Sequence, residues 1–296
     1  MNVPQIVMNS VVTGSIYVLI AVGLTLVLRI LKLVNFAHAE FVTFGAYIAY
    51  AINVTLGKSL VWGAVAAFLT TGLLAVASDF LFFKPLRRRG STVISSMIVS
   101  IGLGLVIRHI IQEVWGAPML WYNLGRVRSY QLLTASLTDI DAQIIVTSLA
   151  LIFSLHILLT RTKLGKAMRA TSDNLALAMS SGINTERIIV WVWFIGAGIA
   201  GVGGVLRGAD TRLVPLMGWE LLLPAFAVVV LGGIGSFYGA ILAAYILGFA
   251  ENLGVVLLIE LSLSTTYRLA IAFIILITVL LVKPTGIMGL KEPGRK

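Results

Sequence analysis

The sequence predicts an all-α, polytopic integral membrane protein, and three features carry that prediction. Of the 296 residues, 59% are hydrophobic and 11% are charged, and the mean hydropathy is +1.01. Soluble domains carry roughly 25% charged residues, so a chain this apolar could not cover its hydrophobic surface in water. The apolar residues also fall in blocks of bilayer-spanning length, about 20 residues. The 29 glycines favour close helix packing in lipid.

The apolar blocks predict eight or nine transmembrane helices within a single domain that covers residues 1–296. The count depends on whether 36–56 crosses completely and whether 221–259, which is far longer than one span, crosses twice. The glycine-rich interruption GGIGSFYG near 232–239 predicts either a tight cytosolic hairpin or a broken helix whose freed backbone groups face a route through the membrane. The predicted spans are 5–28, 36–56, 60–83, 92–112, 143–160, 188–206, 221–259 and 266–282.

Positive charge is distributed along the chain as a topology signal. The net charge is +10, but the basic residues are scattered between apolar blocks, which argues against binding of nucleic acid. In a nine-span arrangement, four basic segments lie on one side, and the positive-inside rule places that side, with the C-terminus, in the cytosol. These segments hold 15 of the 22 Lys and Arg residues and are 29–35, 84–91, 161–187 and 283–296.

No signature of an enzyme or of a bound cofactor is present in the sequence. There is no cysteine, which excludes disulfides and thiolate metal sites. The three histidines, His38, His109 and His156, are too dispersed to predict a metal centre. The motifs H-E-x-x-H, G-x-S-x-G and the phosphate-binding G-x-x-x-x-G-K-[ST] are absent. The chain is therefore predicted to have no nucleotide site of its own.

The long polar segment on the basic side, RTKLGKAMRATSDNLALAMSSGINTER at 161–187, has a helical pattern. Ser172 or Asp173 is predicted to cap a helix that runs to about Ser181, and Gly182 suits the left-handed position that follows. This helix either lies on lipid headgroups or docks into a groove of a soluble partner. Its apolar stripe is formed by Leu175, Ala176, Ala178 and Met179.

Three polar residues at the start of the run 36–56 are candidate functional groups. Asn35, His38 and Glu40 surround the beginning of this run, and an ionisable side chain at the bilayer centre costs about 2.5–3.5 kcal/mol. They either cap a helix at the membrane interface or mark a break that lines a route through the membrane or a subunit contact.

Other polar and small residues within the spans give further expectations. Glu251 follows the glycine-rich interruption by roughly three helical turns, so it is expected to face a cavity, a partner or another helix. Arg108 is expected to snorkel toward the outer interface. The spacing of Gly235 and Gly239 predicts a close approach of helices. A second glycine series, at 196, 198, 201, 203, 204 and 208, predicts a helix-packing face.

Four stretches resemble, in order along the chain, the permease subunits of branched-chain amino acid ABC importers. They are VNFAHAE (34–40), GKAMRATSDNLALAMSSGINTERI (165–188), AVVVLGGIGSFYGAILAAYILGFAE (227–251) and KPTGIMG (283–289). The likeness covers nearly the whole chain and is closest to the smaller, LivH-type subunit, although Ala39 stands where glycine is expected. Urea ABC permeases share much of this pattern, so the resemblance indicates the family more firmly than the solute.

The resemblance implies a subunit of a prokaryotic inner-membrane importer that works by alternating access. Its expected partners are a second permease in a heterodimer, two cytosolic ATPase subunits that use the ATP, and an extracytoplasmic substrate-binding protein. The alternatives are an ABC permease for urea or another small polar solute, and an ion-coupled secondary transporter. The residues implied in ATPase coupling are Arg169, Ala170, Asp173, Asn174, Ala178, Gly182, Ile183 and Asn184. Those implied in the translocation path or the permease contact are Asn35, His38, Glu40, Gly232, Gly233, Gly235, Ser236 and Glu251.

Overall fold

The computed structural model describes residues 3–132, 134–283 and 285–289, and α-helices make up most of them. The first helices are α1 (Val3–Leu31), α2 (His38–Tyr50, continued by a π-helical turn, Ala51–Thr55), α3 (Leu60–Ser78, continued by π-helical Asp79–Phe83), α4 (Lys84–Arg88) and α5 (Val93–Trp115). An antiparallel hairpin of β1 (Ser129–Leu132) and β2 (Ala135–Thr138) follows. The later helices are α6 (Asp139–Arg161), α7 (Lys163–Asp173), α8 (Leu175–Ser180), α9 (Thr185–Asp210), α10 (Met217–Gly232), α11 (Phe237–Glu260) and α12 (Arg268–Val282), the last preceded by a 3-10 turn (Thr265–Tyr267).

Within the described residues, seven helices are long and apolar enough to cross a membrane, and α10 is a shorter apolar helix beside them. The prediction of an all-α, polytopic membrane protein is therefore confirmed. The helices α1 and α9 lie at the centre, with 83% of each apolar window buried, whereas 6% of the window of α12 is buried. The outer faces of α3, α5, α6 and α12 expose large aliphatic side chains, as expected of a surface in contact with lipid.

The glycines of α9 let neighbouring helices approach to backbone contact. A Cβ on Gly196 would lie 2.9 Å from the carbonyl oxygen of Gly23 in α1, and Gly204 faces the carbonyl oxygen of Val42 in α2 with no room for a side chain. Small residues at such crossings permit the close packing that stabilises helices in membranes. The predicted glycine packing face is confirmed, and it allows α9 to contact α1, α2 and α3 together.

The helix α2 begins inside the bundle and not at its surface. The Nε2 atom of its first residue, His38, lies 3.0 Å from the carbonyl oxygen of Ile20. At 1.5 Å per residue, Ile20 is roughly 16 Å along α1 from the C-terminal end of that helix. Residues 33–37 reach this point without regular secondary structure. The predicted span 36–56 is therefore a partial crossing that starts in the interior.

The helix α10 also begins in the interior. The backbone N–H of Gly218 donates to Oγ1 of Thr43 in α2 at 3.1 Å, and a Cβ on Gly218 would overlap the carbonyl oxygen of Ala39. The 16 residues of α10 extend about 24 Å, less than the roughly 30 Å of the hydrocarbon core. Two partial helices thus meet near their N-terminal ends, an arrangement typical of membrane proteins with discontinuous helices.

The long apolar run 221–259 is a helical hairpin with a short turn between α10 and α11. Gly232 and Gly239 pack backbone to backbone across it, with no space for a Cβ on either residue. The prediction that Gly235 makes this close approach was wrong, because Gly235 lies in the turn itself. Gly233 and Gly235 have φ values of 101° and 81°, which glycine adopts without steric cost.

Contacts gather the basic segments at one end of the bundle. Arg29 donates a hydrogen bond to Ser172 at 3.1 Å, and Lys84 pairs with Glu186 at 2.9 Å. Residues 285–289 pack on the turn between α10 and α11 at this same end. The described parts of the four segments that the charge pattern predicts to share a side therefore do share one.

Candidate functional site: a polar loop, a buried ion pair and an outer cleft

The polar loop after α6 folds into two short helices, α7 and α8, joined at Asn174. Oδ1 of Asn174 accepts a hydrogen bond from the N–H of Leu177 at 3.0 Å, so Asn174 caps α8. The prediction that Ser172 or Asp173 forms this cap was wrong, because both residues belong to the last turn of α7. Gly182 follows α8 with a φ of 82°, as predicted.

Arg29, near the C-terminal end of α1, holds the end of α7. Its Nε donates to Oγ of Ser172 at 3.1 Å, and its guanidinium lies 3.6 Å from the carboxylate of Asp173. A Cβ on Gly235 would lie 3.2 Å from Cγ of Arg29, so this side chain also contacts the α10–α11 turn. The sequence offered only the charge of Arg29 as a signal, because Ser172 is 143 residues away.

The helix α8 exposes three large apolar side chains at this end of the bundle, and two of them, Leu175 and Met179, share one face because they are four residues apart. Leu175, Leu177 and Met179 are 43%, 64% and 52% exposed, whereas Ala178 is buried. The stripe predicted from spacing included Ala178, which packs inward, whereas Leu177 is exposed on the side of the helix opposite Leu175 and Met179. Exposed apolar patches of this kind mark contact surfaces for a protein or a membrane.

The residues implied in ATPase coupling are distributed between the surface of this loop and its packing against α6 and α9. Oδ1 of Asn184 accepts from the N–H of Arg187 at 3.1 Å and so caps α9. The loop is therefore held in a defined conformation by its own caps and by neighbouring helices. Asp173, Asn174, Gly182 and Asn184 are exposed, Arg169, Ala170 and Ile183 are half-buried, and Ala178 is buried.

The α10–α11 turn is closed by the segment 285–289. The N–H groups of Ile287 and Met288 donate to the carbonyl oxygens of Leu231 and Gly232 at 2.7 and 3.0 Å. The end of α10 leaves these carbonyls without partners in its own helix. The tight-hairpin alternative therefore describes this turn, and these two backbone groups bond within the fold instead of facing an open route.

The candidate residues of the turn each have a structural role. Oγ of Ser236 accepts from the N–H of Gly239 at 3.1 Å and caps α11. Gly233 lies against the backbone of Gly289 with no room for a Cβ, while Gly232 and Gly235 make the contacts described above. A further role in the translocation path stays a prediction for all four.

Asn35, His38 and Glu40 lie together around the first turn of α2, and all three side chains are buried. Oδ1 of Asn35 accepts from the N–H of Ala37 at 3.1 Å. Oε1 of Glu40 accepts from Nε of Arg108 in α5 at 3.0 Å. The break that these residues were predicted to mark is present. The alternative of a cap at the membrane interface was wrong, because α2 begins in the interior.

Arg108 is largely buried and forms an ion pair with Glu40. The side chain of Arg108 is 12% exposed and that of Glu40 is 1% exposed. The guanidinium carbon also lies 5.2 Å from the centre of the Trp219 ring in α10, a distance that favours a cation–π interaction. The predicted snorkelling of Arg108 was wrong. Its pairing partly offsets the cost of burying both charges and links α5 to the first turns of α2 and α10.

A cleft of about 740 Å³ opens above the N-terminal end of α10, at the end of the bundle away from the polar loop. The Tyr17 hydroxyl donates to Oε2 of Glu251 at 2.7 Å. Glu251 was expected to face a cavity, a partner or another helix, and it both lines this cleft and bonds to α1. The cleft is lined by the polar residues Tyr17, Arg207, Thr211, Arg212, Glu220, Glu251, Thr265 and Thr266 and by the apolar residues Val214, Met217, Leu221, Pro224 and Val255.

Two central full-length helices, two partial helices that begin in the interior and a structured polar loop at one end define the architecture of a membrane transport permease. No group of His, Asp and Glu side chains in the described part of the chain is placed to hold a metal ion. The chain belongs to the family described as branched-chain amino acid transport system / permease component, whose model matches residues 6–280. The resemblance to this permease family is thereby confirmed.

Known proteins similar to this chain cover nearly all of it. The chain is 35% identical to the high-affinity branched-chain amino acid transport system permease protein LivH of Salmonella typhimurium, over 97% of this chain and 96% of that protein. It is 25% identical to the corresponding LivM protein of Escherichia coli, over 95% of this chain and 69% of that protein. A chain in the structure of PsaBC from Streptococcus pneumoniae in complex with Fab superposes with a TM-score of 0.50 at 16% identity, covering 95% and 92% of the two chains, and supports the fold alone.

Proposed function

We propose that this chain is a permease subunit of an ABC importer for branched-chain amino acids in a prokaryotic inner membrane. It pairs with a second permease, two cytosolic ATPase subunits hydrolyse ATP, and an extracytoplasmic binding protein delivers the solute. The 35% identity to a LivH permease supports the solute class, and the similarity to a LivM permease supports a related second subunit. The chain uses no cofactor and leaves ATP to its partners, since it contains no phosphate-binding loop motif.

The exposed apolar side chains of α8 are the observation that carries this proposal. Leu175, Leu177 and Met179 project from a loop at the basic end of the bundle, the end that the positive-inside rule assigns to the cytosol together with the C-terminus. A short helix with apolar anchors suits a groove on a soluble partner. We assign this face to docking of an ATPase subunit.

Arg29 gives the docked loop a direct route to the transmembrane helices. It contacts Ser172 and Asp173 in α7 on one side and Gly235 in the α10–α11 turn on the other. Displacement of α7 and α8 by closing ATPases therefore reaches α10, whose other end packs against α2. A shift of α10 relative to α2 is the conformational step that we propose for alternating access.

Reconstitution of the complete complex in proteoliposomes tests the function. We expect uptake of labelled leucine, isoleucine or valine only when both permeases, the ATPases, the binding protein and ATP are all present. Uptake under an ion gradient without ATP would identify a secondary transporter and overturn the proposal. Preferential uptake of urea from the same solute panel would overturn the solute class.

Truncation of the docking face tests the role of α8. We expect the double variant Leu175→Ala and Met179→Ala to reduce ATP-driven uptake about tenfold, the effect of losing roughly 1.4 kcal/mol of docking free energy. Leu281→Ala is the matched control, because Leu281 is 80% exposed on α12 and lies outside the loop. Uptake equal to that of the control would assign the face to lipid headgroups instead.

Removal of Arg29 tests the link between loop and turn. We expect Arg29→Ala to lower the number of solute molecules transported per ATP hydrolysed, because the ATPases still dock on α8 while their movement no longer reaches the turn. Arg29→Lys should restore part of this ratio through its charge. Arg88→Ala is the control, since Arg88 is an exposed basic residue at the same end. An unchanged ratio in Arg29→Ala would contradict the link.

A further inference from the structure

The outer cleft exists because α10 begins in the interior and leaves the space above it unfilled. The first turn of α10 forms its floor, and the end of α9 together with α1 and α11 forms its walls. Its volume of about 740 Å³ lies within the roughly 300–1,000 Å³ typical of small-molecule sites. A space of this size inside a bundle of packed helices is available to a ligand.

Charged groups of both signs line this cleft. Among the described residues, neither Arg212 nor Glu220 forms an ion pair or a hydrogen bond through its side chain, and both are exposed. Glu251 is 1% exposed and accepts from the Tyr17 hydroxyl. The cleft therefore holds two guanidiniums, those of Arg207 and Arg212, and two carboxylates, and Arg207 already pairs with Asp210 at 3.0 Å.

Pro224 leaves one backbone acceptor of α10 without its usual helical donor. Proline has no N–H, so the carbonyl oxygen of Glu220 lacks the donor that a helix normally supplies four residues later. Glu220 and Pro224 both line the cleft. The apolar part of the lining separates these polar groups and consists of Val214, Met217, Leu221 and Val255.

We propose that this cleft is a binding site for the amino acid in its zwitterionic form, before it crosses the bundle. The guanidinium of Arg212 receives the α-carboxylate, the carboxylate of Glu220 receives the ammonium group, and the apolar lining accepts a branched side chain. Charge-assisted hydrogen bonds of this kind compensate the loss of water around both charged ends. The identity of the solute rests on the proposed function, whereas the site rests on the geometry of the cleft.

A solute with a single charge matches this lining less well than a zwitterion. An amine without a carboxylate leaves Arg212 without a counter-charge, and a carboxylate without an amine leaves Glu220 without one. A neutral solute such as urea can form hydrogen bonds with these groups but no ion pair. The lining therefore selects for separated opposite charges on one small molecule.

Direct binding to the permease–ATPase complex in nanodiscs, without the binding protein, tests the site. We expect Arg212→Gln to weaken leucine binding about tenfold, a loss of roughly 1.4 kcal/mol, while binding of 3-methylbutylamine, which lacks the carboxylate, is not weakened. Glu220→Gln should weaken leucine in the same way while binding of 4-methylpentanoate, which lacks the ammonium group, is not weakened. Both residues are exposed, so these variants should fold. The controls, Arg126→Gln and Glu260→Gln, alter exposed charges outside the cleft and should bind leucine as the unmodified complex does.

Two results would overturn this inference. One is the absence of leucine binding to the unmodified complex, or equal binding in both cleft variants. The other is a defect that appears only as weaker association of the binding protein, which would make the rim a docking surface for that protein. ATP-driven uptake by the unmodified complex, measured in parallel, tests the proposed function separately, so it can stand when the cleft proposal fails.

Discussion

The N-terminal ends of α2 and α10 carry the same type of residue in opposite environments. Each helix begins in the interior and has a glutamate in its first turn, Glu40 in α2 and Glu220 in α10, where the helix dipole favours negative charge. Glu40 is buried and forms an ion pair with Arg108, whereas Glu220 lines the outer cleft. Trp219, the neighbour of Glu220, covers the Arg108 guanidinium, so the two ends meet at one indole ring.

The difference shows that the surroundings, and not the helix start, decide what such a glutamate does. At α2, the neighbouring helix α5 supplies an arginine, and the resulting pair has a structural role. At α10, no such partner is present among the described residues, and the carboxylate remains available to a ligand. Three substitutions, taken from the largest expected effect to the smallest, test this contrast.

Breaking the ion pair between Glu40 and Arg108 should have the largest effect on stability. Arg108→Gln leaves Glu40 buried without its counter-charge, and we expect a loss of about 3–5 kcal/mol, the usual range for one partner of a buried pair. Thermal unfolding of the purified permease in detergent measures this loss. The double variant with Glu40→Gln should recover part of it, because no lone charge remains. If the double variant were no more stable than Arg108→Gln, the loss would not come from a buried Glu40 without its counter-charge.

Removing the hydroxyl above the cleft should have an intermediate effect. Tyr17→Phe deletes the donor to Glu251 while keeping the ring in the core, and we expect a loss of about 1–3 kcal/mol, as for other buried hydrogen bonds. The same unfolding measurement applies, with leucine binding as a second readout. Stability equal to that of the unmodified protein would show that this hydrogen bond is replaced without cost.

Neutralising the exposed Glu220 should have the smallest effect on stability. We expect Glu220→Gln to stay within about 0.5 kcal/mol of the unmodified protein, as exposed substitutions usually do, because Glu220 has no ion pair among the described residues. Thermal unfolding again provides the comparison with Arg108→Gln. A loss as large as that of Arg108→Gln would show that Glu220, like Glu40, makes a strongly stabilising contact, and would contradict the proposed difference between the two helix starts.

Features that depend on local sequence could be predicted without the structure. The hydrophobic blocks indicated the membrane class, and the spacing of glycines between 196 and 208 indicated a packing face, because both signals repeat along one helix. The distribution of Lys and Arg indicated which segments share an end. The position of Gly182 after α8 also followed from local backbone chemistry.

Features that depend on distant residues could not be predicted in this way. Glu40 and Arg108 are 68 residues apart, and Tyr17 and Glu251 are 234 apart, so no periodicity relates them. The interior starts of α2 and α10 leave apolar runs that resemble ordinary spans. The cap of α8 is Asn174 and not Ser172 or Asp173, because these two residues are held in α7 by contacts with α1.

Closure of the α10–α11 turn by residues 285–289 has a consequence for biogenesis. The carbonyl oxygens of Leu231 and Gly232 leave the ribosome before α11 and α12 have been synthesised, and their donors, Ile287 and Met288, follow α12. During that interval these acceptors depend on water, because an unpaired carbonyl in hydrocarbon is costly. The hairpin therefore reaches its final structure only when α12 has been inserted, and a nascent chain arrested before that point lacks the contacts that close this end of the bundle.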